Sequence, residues 1–392
     1  MRVLLLHNHY QQAGGEDEVF AAEGELLEAR GHQVLRYVSH NDRVAEMSRP
    51  ALAKVTVWNG AVYREVRALM RRDRPQVAHF HNTFPLLSPA AYYAARAEGV
   101  PVLQTLHNYR LLCPNALLYR NGGVCEDCLG KMIPWPGVAH ACYRASRSSS
   151  GAVAAMLAIH RTLGTWEGLV DAYIALTEFA RQKFIQGGFS AEKMFVKPNF
   201  VHPDPGYGQG RGRYVLFVGR LSQEKGVDTM LTAWKRLGEN VPLKIVGDGQ
   251  LAPRVAEAAE RLGQVEWMGR QPKERVLALM KDALALVFPS AWYEGFPMVI
   301  AEAYAVGLPV IASNLGSMSS LIDHGRTGLH FHPSDPDDLA AQVEWASLHP
   351  AKLEKMREEA RREFKAKYNA ERNYTFLMNI YRAVLERART HA

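Results

Sequence analysis

The sequence predicts an α/β protein of two doubly wound parallel-sheet domains facing a central cleft. Two observations predict it: short apolar runs alternate with helical patterns through both halves, and one Pro/Gly-rich stretch near the middle interrupts the alternation. With 392 residues the chain is long enough for two domains, each burying its own core. Its 47% apolar and 22% charged composition is that of a soluble globular protein.

In chain order, strands are expected at residues 3–6, 34–38, 77–80, 102–106 and 172–176. A helix over 17–30, closed by Gly31, follows the first of them. The run Pro198-Asn-Phe-Val-His-Pro-Asp-Pro-Gly-Tyr-Gly-Gln-Gly-Arg-Gly212 reads as a linker. Beyond it, strands are expected at 214–218, 243–246, 265–267, 284–288, 310–312 and 328–331. The expected organisation is therefore an N-terminal domain over 1–197, a linker over 198–212, a C-terminal domain over 213–370 and a terminal helix over 371–392. Helical segments over 352–367 and 371–387 end the chain, and Tyr374, Leu377, Met378, Tyr381 and Leu385 recur at helical spacing in the last. Asp335-Pro336-Asp337-Asp338 invites a metal-binding reading. It fits an N-cap better, with proline in the first turn and acidic residues beside the helix dipole.

A formal charge of +7 and a pI near 9.1 favour an anionic partner. The helix-spaced Val66, Leu69 and Met70 against Arg64, Arg67, Arg71 and Arg72 fit either a membrane-surface helix or an ordinary packed one. Nucleic acid is not expected, because no aromatic stacking platform interleaves the basic residues. The opening apolar run is too short for a signal peptide, and no stretch approaches the roughly 20 residues that span a bilayer. A cytoplasmic location follows as the expectation.

The chemistry concentrates in Trp292-Tyr-Glu294-Gly-Phe-Pro-Met-Val-Ile-Ala-Glu302. The preceding apolar run, 283–288, reads as a strand covered on both faces, and a helix should open near Pro297. Glu294 then lies on the loop at the strand's carboxyl end, where open α/β sheets bind ligands, and Glu302 lies about one turn inside the helix. Backbone amides from Gly295 through Phe296, Pro297, Met298 and Val299 mark a positive helix end suited to a diphosphate, and Glu302 can accept both hydroxyls of a ribose. Proline at 297 contributes geometry and no amide. Gly219-Arg220 and Lys225 follow another expected strand, so both cations can converge on the same edge and stabilise a departing diphosphate.

These segments resemble the E-x7-E signature of family-four retaining glycosyltransferases of the GT-B fold. Arg30-Gly-His-Gln-Val34, Phe217-Val-Gly-Arg-Leu-Ser-Gln-Glu-Lys-Gly226, Ile245-Val-Gly-Asp-Gly249 and Gly307-Leu-Pro-Val-Ile-Ala312 extend the resemblance in type and order over nearly the whole chain. The resemblance implies transfer of a sugar from a UDP- or GDP-sugar to a hydroxyl of a glycan or lipid-linked glycan, at the inner leaflet in many relatives. It implies front-face displacement with no catalytic metal. Arg220 and Lys225 would carry the diphosphate, Glu294 would contact the donor sugar, and backbone near Gly247, Gly269 and Arg270 would hold the base. His107, in Gln104-Thr-Leu-His107, matches a histidine that touches the donor sugar. Gly14-Gly15 matches a loop bordering donor and acceptor, although it also reads as a plain turn, and Glu16-Asp17 would repel a tightly bound phosphate. In this fold the last helix crosses back onto the first domain. A sugar-nucleotide epimerase and a non-enzymatic partner subunit are the rival readings.

The sequence departs from the family pattern at a Cys-rich insert over about 108–145. Cys113, Cys125, Cys128 and Cys142 fit a structural zinc site that orders a coreless loop, with free thiols as the alternative. His7, His9, His79 and His81 gather at strand ends, yet their spacing does not demand a metal.

Overall fold

The structure, a computed structural model, describes residues 1–11 and 14–390. The chain divides into two compact units. The first comprises Met1–Leu118, Cys125–Pro198 and Asn373–Ala392, and the second Tyr119–Val124 and Asn199–Arg372.

The first unit is built on β1 (Arg2–His9), β2 (Gln33–His40), β3 (Val77–Asn82) and β4 (Val102–Leu106). Tyr119–Arg120 (β5) and Gly123–Val124 (β6) form a separate antiparallel hairpin that groups with the second unit. Strands β7 (Ala172–Ala175) and β8 (Met194–Val196) complete a six-stranded parallel sheet of order β2-β1-β3-β4-β7-β8. β3, β4 and β7 are buried along their whole lengths; β7 is apolar throughout, whereas β3 buries His79, His81 and Asn82 and β4 buries Gln104 and Thr105 among their apolar residues. Because β2 and β3 flank β1, the strand order reverses at β1/β3, the topological switch point. The pairing of β1 with β3 shifts register between Leu6 and His7, at the carboxyl edge.

The helix Gly15–Ala29 follows β1 and buries Val19, Phe20, Leu26 and Leu27, with Glu23 in the same stripe. The helix Gly60–Asp73 buries Val62, Val66 and Met70 and packs on the helix Ala90–Ala97. Its Arg67 and Arg71 both pair with Glu98, at 2.6 and 2.9 Å. Val66 and Met70 of this stripe therefore face inward, and Leu69 is half-buried. The terminal helix Ala370–Thr390 buries Leu377, Met378, Tyr381 and Val384, and Tyr381 and Tyr374 bond His79 and His32 at 3.0 and 2.8 Å.

The second unit holds β9 (Val215–Val218), β10 (Leu243–Val246), β11 (Val265–Trp267), β12 (Ala285–Phe288), β13 (Val310–Ser313) and β14 (Gly328–Phe331). They form a parallel sheet of order β11-β10-β9-β12-β13-β14, whose switch point lies between β9 and β12. The core on one face gathers around Trp234, whose indole donates to Val241 O at 2.9 Å. Asp335 caps the helix Pro336–Leu348 by accepting the Asp337 and Asp338 amides at 2.9 and 3.1 Å, the cap reading of the acidic run. Among the described residues no helix is long and apolar enough to cross a membrane.

Candidate functional site

In the second unit the expected site residues collect at the carboxyl edge of β9 and β12. A 3-10 turn, Gln223–Lys225, follows β9 and ends at Gly226, whose φ of 70° is left-handed. A Cβ at Gly226 would lie 1.8 Å from Pro289 O, so glycine is what allows the Lys225 turn to close against the loop after β12. The Ala291 amide donates to Glu224 O at 2.8 Å and ties the two loops together.

Glu294 is buried, and its Oε1 accepts from Lys225 Nζ at 2.7 Å, Ser290 Oγ at 2.5 Å and Trp292 Nε1 at 2.8 Å. Lys225 Nζ also lies over the rings of Phe288 and Trp292, at 5.4 and 5.6 Å from their centroids. The lysine head is thus held at one point while its side chain stays 21% exposed, enough to meet a ligand. Ser317 Oγ donates to the carbonyl of Glu294 at 2.7 Å, and Ser313 Oγ to that of Ser290 at 2.6 Å, which fixes the loop backbone from β13. Arg220 is exposed and makes no side-chain ion pair among the described residues.

The helix Met298–Ala305 opens after Pro297 as N-cap, so the amides of Met298 and Val299 lack intrahelical acceptors. Glu302 is half-buried on that helix, with Lys273 Nζ 3.5 Å from Oε1. Neither glutamate is a freely solvated surface group. Gly247, at φ 143°, would place a Cβ 1.9 Å from Gly219 O, so the β9 and β10 loops need glycine here to approach. The Gly247 amide donates to Gly269 O at 2.9 Å, and Trp267 Nε1 donates to Gly247 O at 3.0 Å. Arg270 stands exposed beside Asp248 at 3.4 Å.

The first unit places a second cluster at its own switch point. Asp17 Oδ1 lies 2.7 Å from His7 Nε2 and 3.0 Å from His9 Nδ1, and Asp17 Oδ2 accepts the Gly14 amide at 2.7 Å. The Gly14 amide is therefore engaged within the loop, and Gly15 begins the helix. Burial works to raise the Asp17 pKa, but the bonds from His7, Gly14 and His9 outweigh it and hold the carboxyl below its ordinary range. The adjacent Glu16 is pushed up to about 8 by burial, against the opposing bonds from Tyr10 and Asn108.

His107 follows β4, and its Nε2 lies 3.0 Å from His81 Nδ1. Burial, then the nearby His7 and Lys197, lower its pKa to about 3. Behind it His79, His81, Glu23 and Lys197 are sealed from solvent. Lys197 bonds Glu23 Oε1, and Glu23 Oε2 stands 3.5 Å from His81 Nε2. Burial holds both histidines well below their usual range, helped for His79 by the Lys197 ammonium. Among the described residues, His7/His9/Asp17 and Glu23/His79/His81 are the groupings of three whose ligand atoms lie near enough to share an ion. His79 already uses both ring nitrogens, on Tyr381 and Thr105, and Lys197 supplies the positive charge at Glu23. Glu23 Oε2 and His81 Nε2, 3.5 Å apart, are left buried without a hydrogen-bond partner, so the chain satisfies this grouping only in part.

The cysteines lie in the first unit. Cys113 and Cys128 are buried, the first thiol donating to Asn115 Oδ1 at 3.0 Å and the second to Pro134 O at 3.8 Å, while Cys125 and Cys142 are half-buried. The neighbouring Cys128 thiol pulls the Cys113 thiol down to about 6 against the effect of burial.

Arg220 and Lys225 follow β9, and Glu294 and Glu302 follow β12, its neighbour in the sheet. Sequence reasoning missed Ser290, Ser313 and Ser317, whose roles depend on which strand ends are neighbours. It also missed the pairing of Glu23 with Lys197. The one available signal was a glutamate in the helical register of Val19, Phe20, Leu26 and Leu27.

Residues 3–205 match the model of Glycosyltransferase Family 4, and residues 208–363 match that of Glycosyl transferases group 1. The chain is 30% identical over 185 residues to an uncharacterized glycosyltransferase of Methanocaldococcus jannaschii, covering 47% of this chain and 52% of that protein. It is 34% identical over 162 residues to the D-rhamnosyltransferase WbpZ of Pseudomonas aeruginosa, covering 40% and 42%. The chain thus spans about half the length of the curated relatives it matches. Among solved structures, HepE of Anabaena in complex with UDP superposes with a TM-score of 0.69 at 17% identity, covering 97% of this chain and 99% of that one. At that identity the likeness establishes the fold: two parallel-sheet units of the GT-B kind.

Proposed function

The chain belongs to glycosyltransferase family 4, and we propose that it is a retaining enzyme moving a sugar from a nucleoside-diphosphate donor to a hydroxyl of a glycan or lipid-linked glycan. The observation that carries this reading is the anchoring of Lys225 by a buried Glu294 at the switch point of the second unit, beside exposed Arg220. A lysine serving only solubility needs no such anchor. Here its ammonium is set in one place at a sheet edge that also carries a helix N-terminus and a half-buried carboxylate, Glu302.

In this reading the donor diphosphate lies against Lys225, Arg220 and the free amides at the start of the helix Met298–Ala305. Glu302 accepts the ribose hydroxyls, exchanging its long contact with Lys273. Backbone around Gly247, Gly269 and Arg270 borders the base. Glu294 acts chiefly by positioning Lys225, with contact to the donor sugar as its second role. The anomeric C–O bond to phosphate breaks, its electron pair leaves with the diphosphate, and the acceptor oxygen bonds the same face of the anomeric carbon. The acceptor's proton passes to the leaving phosphate oxygen. Lys225 and Arg220 stabilise the charge that develops there. The HepE structure with UDP supports a uridine nucleotide as the first to test, with GDP beside it.

The test is thermal unfolding with UDP, GDP and ADP, followed by NMR assignment of the product's anomeric configuration. A nucleotide at 100 times its dissociation constant should add about 2.7 kcal/mol, and the product should keep the donor's configuration. No stabilisation by any of the three would refute the donor site, and inversion would refute the retaining mechanism.

A further inference from the structure

We infer that His9 is a hydrogen-bond acceptor for a hydroxyl of the acceptor substrate, locked in that state by Asp17; this rests on the glycosyltransferase reading of the second unit. His7 and His9 stand two residues apart on β1 and therefore share a face of the sheet. Both rings reach Asp17, which enters from the first turn of the following helix. An ionised carboxylate only accepts hydrogen bonds, so the nitrogen each ring turns toward it carries the proton. That assigns the proton of His7 to Nε2 and that of His9 to Nδ1. In a neutral imidazole the other nitrogen is then bare.

The two bare nitrogens differ in access. His7 is fully buried, and its Nδ1 is sealed off without a partner. The His9 side chain is 30% exposed, so its Nε2 is the lone pair of this cluster that a ligand can reach. Phe20 meets the His9 ring edge-on with centroids 5.8 Å apart, and His40 stacks on it at 5.9 Å, so the ring is fixed as well as its tautomer. A fixed, exposed lone pair recognises an O–H donor, and in a sugar transferase the hydroxyl-rich ligand besides the donor is the acceptor. The donor's own phosphates are a poor match, since Asp17 places negative charge behind the ring. No proton transfer is assigned to His9; the group binds and orients.

A metal ion is the competing use of the same atoms. Ligands at about 2.0–2.2 Å from zinc in tetrahedral geometry stand roughly 3.3–3.5 Å apart. The observed separations of 2.7 and 3.0 Å are those of direct hydrogen bonds instead.

The experiment uses the full chain and two readouts. Long-range proton–nitrogen NMR should show His9 with a bare Nε2, and adding maltose, methyl α-mannoside or octyl β-glucoside should move that nitrogen and leave His7 unmoved. Asp17→Asn should populate the other His9 tautomer. In transfer assays His9→Ala should raise the acceptor KM about tenfold, the worth of one hydrogen bond to a substrate hydroxyl, and leave UDP stabilisation unchanged. A protonated Nε2 in the wild type, no response to any of the three sugars, an unchanged acceptor KM, or a zinc titration that shifts His7 and His9 together would each overturn the inference. Absence of UDP stabilisation with the bare Nε2 and sugar response intact would instead count against the donor site alone.

Discussion

Replacing Lys225 with alanine separates the two jobs its ammonium does. In the folded protein it donates to Glu294 Oε1, as Ser290 and Trp292 also do. Losing one charge-assisted bond costs about 1.5–3 kcal/mol. The lower end applies, because the Lys225 side chain is 21% exposed and water can take its place. In the transition state the same ammonium faces the departing diphosphate. Removing a preorganised donor of that kind raises the barrier by about 3 kcal/mol, on the order of a 100-fold loss in kcat. The measurement pairs urea unfolding, to show that the variant is folded at the assay temperature, with sugar-transfer kinetics at saturating donor. Lys225→Arg keeps the charge but not the geometry at Glu294 and should recover part of the rate. A folded Lys225→Ala protein whose kcat stays within about threefold of wild type, a barrier change below about 0.7 kcal/mol, would refute the assignment of Lys225 to the leaving group.

Other expectations follow from the first unit. Lys197→Met leaves the Glu23 carboxylate buried and unpaired and should cost about 3–5 kcal/mol in urea unfolding, whereas adding Glu23→Leu should restore most of it; equal stability of the single and double variants would show that the pair is not coupled. Glu16 titrates near 8 in the folded chain against an ordinary value of 4.5, so the folded state binds its proton more tightly. Stability from this group is full below about 4.5 and falls as pH rises toward 8. Glu16→Gln should therefore gain on wild type across that window and stay level above it, as read from unfolding midpoints against pH; a gap that does not change with pH would contradict the assignment. Among the described residues no three of the four cysteine sulfurs lie near enough to share an ion, so elemental analysis of purified protein should return no stoichiometric zinc and chelation should leave the Tm unchanged. About one zinc per chain, lost with a fall in Tm on chelation, would restore the structural-zinc reading.

How much of this was legible in sequence depended on the distance over which each feature is written. Strands β7, β12 and β13 are buried from end to end and almost wholly apolar, so their runs announce them without reference to neighbours. β8 has three residues with only Met194 buried, and no local pattern marks it. The same rule separates the site residues. Glu294, Ser290 and Trp292 lie within five positions, and the strand–loop–helix grammar around them places the carboxylate correctly. What grammar cannot supply is that Lys225, 69 residues earlier, ends on the same oxygen, because that requires β9 and β12 to be neighbours.

Glu23 and Lys197 make the limit sharper. They are 174 residues apart, and nothing local pairs them. Yet a glutamate in the buried stripe of an amphipathic helix costs several kcal/mol unless a cation meets it. Its presence in the register of Val19 and Leu26 thus implies a distant basic partner even though it cannot say which. Such a misplaced charge predicts a tertiary contact from one helix alone. The histidines of β1 carry the complementary lesson: their partner Asp17 lies only eight to ten residues away, within reach of sequence reasoning. Reading Asp17 as a repellent for phosphate, rather than as an acceptor for the two rings that precede it, concealed the contact that fixes which nitrogen of His9 a ligand can meet.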